Sequence, residues 1–92
     1  MRWVEIINLR SSGTDLDALA DQITESFIDT VNADSPIQIR IYRNPTLETD
    51  LSIHIHLRTD DACIPLNETG LRLARALEDY GLVDRTLWLE VE

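Results

Sequence analysis

Ninety-two residues allow one domain with a modest core, and a hydrophobic share of 43% marks a folding chain rather than a disordered one. A net charge of −9, with a pI near 4.4, repels a phosphate backbone; the eight basic residues, all arginine at 2, 10, 40, 43, 58, 72, 75 and 85, form no basic stripe in sequence, so nucleic acid is disfavoured as a partner. The single cysteine, Cys63, excludes an internal disulfide and a multi-cysteine zinc site, and reads as a packed or incidental thiol in a connection.

No apolar run approaches the roughly 18 residues of a membrane helix. The opening Met1-Arg2-Trp3-Val4-Glu5 lacks a signal-peptide pattern, so the expectation is a cytoplasmic protein with no membrane partner. The absence of lysine fits a high-salt cytoplasm and biased codon usage equally well.

Residues 2–10 predict a strand, apolar at Trp3, Val4, Ile6, Ile7 and Leu9, that is covered on both faces. A carboxylate is costly in a helix-covered core, so Glu5 points Val4 and Ile6 inward and leaves Trp3, Glu5, Ile7 and Leu9 on the other side. Ser11-Ser12-Gly13-Thr14 is a turn into a helix, with Thr14 as N-cap and Asp17 three residues on. Leu16, Leu19, Ala20, Ile23, Phe27 and Val31 form one helical stripe, ending near Asn32 with Pro36 beyond.

Residues 37–43 alternate, with Ile37, Ile39 and Ile41 opposed to Gln38, Arg40 and Tyr42. A loop over 43–49 then leads to the clearest element, residues 50–58. There Leu51, Ile53, Ile55 and Leu57 oppose Asp50, Ser52, His54, His56 and Arg58. After a connection carrying Asp60, Asp61 and Cys63, Asn67 is placed to cap a second helix whose apolar side is Leu71, Leu73, Ala74, Ala76, Leu77 and Tyr80. Gly81 suits a C′ position with Leu82 folding back on Leu77. A last strand runs over 83–91, with Leu87, Leu89 and Val91 opposed to Thr86, Trp88 and Glu90.

The order β-α-β-β-α-β is the ferredoxin-like pattern, here a single α+β domain over residues 1–92. It predicts a four-stranded antiparallel sheet with two helices on one face, the first and third strands central. Those two strands are expected to run parallel to each other, which would bring Arg58, Asp60 and Asp61 to the Arg10 end of the sheet.

The helix-free face then collects Trp3, Glu5, Ile7, Leu9, Gln38, Arg40, Tyr42, Ser52, His54, His56, Arg58, Thr86, Trp88 and Glu90. So much aromatic and aliphatic surface exceeds what a monomer comfortably exposes, and the mixed charges suit pairing across a two-fold axis. As a topology, the chain resembles the dimeric α+β-barrel proteins, which include cofactor-independent monooxygenases. The resemblance implies a homodimer enclosing a cavity, and carries no catalytic residues with it.

Chemistry-bearing candidates are few. His54-x-His56 puts two imidazoles on one side of a strand, and Glu5 would complete a two-histidine, one-carboxylate metal set. Either histidine, or Glu5, is also a candidate acid or base. Arg10, Ser11, Ser12, Gly13 and Thr14 precede a helix N-terminus and are a candidate anion site, without the elements of a P-loop. No cofactor is expected. The reading favours a non-enzymatic, homodimerising interaction or small-ligand-binding module over its alternative, an enzyme with His54 and His56 in a sheet-face cavity. Trp3, Glu5, Arg40, Tyr42, His54, His56 and Trp88 are the expected interface or ligand residues.

Overall fold

The computed structural model describes residues 1–12, 15–28, 37–58 and 68–91, with Phe27 and Ile28 placed by backbone only. Its elements are β1 (Arg2–Ser11), α1 (Leu16–Ile23) running into a π-helical turn (Thr24–Ile28), β2 (Ile37–Arg43), β3 (Asp50–Arg58), α2 (Glu68–Leu77) and β4 (Gly81–Leu89). The four strands form one sheet in the order β2-β3-β1-β4, and every neighbouring pair is antiparallel. The fold is α+β.

Antiparallel β1 and β3 correct the expectation of parallel central strands. The β2–β3 hairpin reverses the chain, so β3 runs against β1. Arg10 therefore lies opposite Asp50, while Arg58 lies opposite Arg2 at the far end of the sheet. Asp60, Asp61, Cys63 and Asn67 fall outside the described residues.

One face of the sheet is core. Ile39 from β2, Leu51, Ile53 and Ile55 from β3, and Ile7 and Leu9 from β1 are all buried in one cluster with Leu16, Leu19 and Ile23 of α1 and Leu73, Ala74 and Leu77 of α2. The facing of β2, β3 and β4 follows their alternation. That of β1 is the reverse of the expectation: Glu5, Ile7 and Leu9 point toward the helices, and Val4 and Ile6 stand half-buried on the open side.

The carboxylate that seemed to forbid this arrangement has a partner. Arg85 Nη2 donates to both Glu5 oxygens, at 3.0 and 3.1 Å, across the sheet. Glu5 is 6% exposed and lies directly under α2 at Gly70, where a Cβ would sit 2.0 Å from Glu5 Oε1. The buried stripe of α2 is accordingly Gly70, Leu73, Ala74 and Leu77, while Leu71 and Ala76, expected on it, are exposed.

At the N-terminus of α1 the cap is Asp15, not Thr14, which lies outside the described residues. The Asp15 carboxylate accepts from the Asp17 and Ala18 amides at 3.0 and 3.3 Å. The α-helix lasts eight residues before the wider π-helical turn takes over, so its stripe does not run on in one phase past Ile23. Val31, Asn32 and Pro36 are outside the described residues.

Gly81 does not cap α2; it opens β4 opposite Ser11, and Leu82, far from folding back on Leu77, is 76% exposed. Glycine is required there by close approach, because a Cβ would meet the Arg10 carbonyl oxygen at 2.0 Å. Among the described residues no helix is long and apolar enough to cross a membrane.

A candidate site on the helix-free sheet face

Register fixes which side chains share the open face. Successive rows across β2, β3, β1 and β4 read Gln38–His56–Val4–Trp88, Arg40–His54–Ile6–Thr86 and Tyr42–Ser52–Asn8–Asp84. Beyond the first row Arg58 lies opposite Arg2. Arg2 in turn reaches Glu90 across a 3.7 Å ion pair. Beyond the last row comes Asp50, opposite Arg10, with Leu82 on the far side of Arg10.

Of the expected interface residues, Arg40, Tyr42, His54, His56 and Trp88 are brought together on this face. Trp3 and Glu5 are not. Trp3 shares the parity of Glu5 and lies half-buried between Leu57 and Leu89 in the ladder, with its buried Nε1 donor unpartnered among the described residues.

The two histidines differ. The His54 ring sits 4.5 Å from the Tyr42 ring, and its Nε2 lies 3.1 Å from Ser52 Oγ. Burial lowers its pKa below the ordinary histidine value, and the neighbouring His56 lowers it further. His54 is thus half-buried and packed between Tyr42 and Ser52. His56, its ring 6.4 Å away, is exposed.

The expected metal set is broken by geometry. The sheet itself separates Glu5 from both imidazoles, and among the described residues no three His, Cys, Asp or Glu side chains cluster closely enough to hold a metal.

The candidate anion loop is committed elsewhere as well. Arg10 pairs with Asp50 at 3.2 Å, an interaction that raises the arginine pKa and lowers that of the aspartate. The Ser11 amide donates to the Thr49 carbonyl and the Ser12 amide to the Tyr80 carbonyl, at 2.8 and 3.1 Å. The free amides at the start of α1 go to Asp15. Gly13 and Thr14 lie outside the described residues.

Arg40 and Arg58 are expected on this face from the alternation of their strands; what sequence order conceals is that Arg2 joins them. Arg2, Arg40 and Arg58, far apart along the chain, line one open concavity of about 930 Å³ with Tyr42, His56 and Trp88. Val4 lies on its floor, and it wraps the end of the sheet as far as Trp3 and Leu89. The Trp88 indole donates to Thr86 Oγ1 at 2.9 Å, which fixes the ring along its strand.

The signal that completes this cluster is the ladder register, which joins Arg2 to Arg58 and places Arg40 one strand from His54. The chain matches no family model, no curated protein and no solved structure.

Proposed function

We propose that this is a ferredoxin-like module that works through its helix-free sheet face, by closing that face against a second copy of itself. The strand order read from the other edge, β4-β1-β3-β2, with one helix after β1 and one after β3, supports the ferredoxin-like reading.

The observation that carries the pairing is the make-up of the face. Trp88 at 56%, Tyr42 at 44% and Leu82 at 76% exposure stand on it beside half-buried Val4 and Ile6. Its charge is also uneven along the strands: Arg2 and Arg58 stand at one end with Glu90, Arg40 in the middle row, and Asp84 beside the matched Arg10–Asp50 pair toward the other end. A two-fold axis lying across the strands sets each arginine end over the opposite end of the second copy.

Sedimentation equilibrium tests this. The expected mass is twice 10.5 kDa at micromolar concentration, falling to the single-chain value in Leu82→Glu with its circular dichroism unchanged. A chain that stays monomeric at high micromolar concentration overturns the pairing. The enzymatic alternative rests on His56 alone, since His54 does not line the concavity.

A further inference from the structure

We infer that the arginine end of this face binds a small planar molecule bearing an oxyanion, a carboxylate or phosphate, with its ring against Trp88 and Val4. The inference rests on the reading of the face as the working surface, but not on its pairing.

Four observations converge. First, Arg2 and Arg58 are direct cross-strand neighbours, an arrangement of like charges that disfavours the ladder unless an anion bridges it. Second, most other arginines of the chain are matched: Arg10 with Asp50, Arg43 with Asp17, Arg72 with Glu68 and Arg85 with Glu5. Among the described residues Arg40 and Arg58 make no ion pair, and Arg2 has only the long, exposed contact to Glu90. Arg75, on α2, is also without an ion pair among the described residues, so what sets Arg40 and Arg58 apart is that they gather on one face beside Arg2.

Third, charge is segregated. Among the described residues Arg2, Arg10, Arg40 and Arg58 stand on the helix-free side with Asp50, Asp84 and Glu90 as its acids, a net +1 in a chain whose total is −9. A short anion is attracted to such a patch, whereas a long polyanion meets the acidic remainder.

Fourth, the place is shaped. Arg58 lies one step of about 6–7 Å from His56 along β3, and Arg40, opposite His54 on β2, is its diagonal neighbour on the other side at about 7–8 Å, so both guanidinium groups can reach an oxyanion seated at the imidazole. The row from His56 runs on through Val4 to the indole of Trp88, already oriented by Thr86. The concavity of about 930 Å³ is ample for one ring and its acidic group. An indole held before binding loses little freedom on contact with a flat ring.

The test is a ¹H–¹⁵N and histidine-ring titration of the full chain with salicylate, with 5′-AMP, with inorganic phosphate and with a short single-stranded RNA, repeated in Leu82→Glu. Salicylate or AMP is expected to move the Trp88 indole and His56 signals together, saturating at about millimolar concentration or below. Whichever of the two binds tighter identifies the oxyanion as carboxylate or phosphate. Arg58→Gln and Arg40→Gln, both at exposed positions, are each expected to weaken binding about tenfold, and phosphate alone to bind about tenfold more weakly than the ringed probe.

No saturable shift with either probe overturns the inference. So does an unchanged affinity in both arginine variants, and so does RNA binding more tightly than AMP. Binding retained by a monomeric chain supports this site while sinking the pairing; a dimer that binds no probe does the reverse.

Discussion

Gly70 shows how one residue records a contact made by another. Alanine in a helix interior normally gains about 1 kcal/mol over glycine. Here its Cβ would meet a carboxylate held in place by Arg85, so Gly70→Ala should instead cost about 1–2 kcal/mol in urea denaturation. In a Glu5→Ala background the same change should become neutral or stabilising. Equal costs in both backgrounds would show that the carboxylate is not what selects glycine.

His54 carries a second consequence at this scale. Its pKa is lower in the folded chain than in the unfolded one, so the unfolded state takes up the proton first. Stability is full above the unfolded value of about 6.5, erodes as pH falls below it, and levels off at the lower folded value. Urea midpoints measured between about pH 7.5 and 5 should fall in the native chain and fall less in His54→Gln. Parallel profiles would remove His54 as the cause. The companion His56, whose charge opposes protonation of His54, remains in both.

At the scale of elements, α1 depends on its cap. Eight α-helical residues are too few to hold themselves together, and the Asp15 carboxylate satisfies two of the free amides at the start. Asp15→Ala should cost about 0.5–2 kcal/mol, read as a lower urea midpoint with an unchanged slope. A midpoint within error of the native one would mean that packing of Leu16, Leu19 and Ile23 alone sets the helix.

The strands differ in how openly they declare themselves. The alternation in β2 and β3 runs unbroken, and both their bounds and their facing are legible from it. In β1 both parities are apolar, so facing hung on Glu5, whose partner lies 80 residues away along the chain. No local pattern announces an ion pair of that separation. Gly81 misled for a related reason: a glycine after a helix suits a cap, and only the approach of the Arg10 carbonyl shows that it serves the sheet. The candidate site was legible on β2, β3 and β4, which contribute Arg40, Tyr42, His54, His56 and Trp88. On β1 the pattern is ambiguous: Trp3 and Glu5 belong to the core side, and only the ladder register sets Arg2 beside Arg58.

For the molecule as a whole, charge and topology bear on each other. Sequence counting sees a uniformly acidic chain, yet folding sorts the arginines so that one sheet face escapes the general sign. The same topology governs the order in which the chain can come together. β1 leads the described elements, but its two neighbours in the sheet are β3 and β4, neither of them adjacent to it along the chain. On a ribosome Ile7 and Leu9 emerge about forty residues before β3 can reach one edge of their strand and about seventy before β4 can reach the other. Long-range closure of this kind slows folding. A nascent chain of this design spends its vulnerable interval with its central strand bare, which makes the first strand the segment a chaperone would meet.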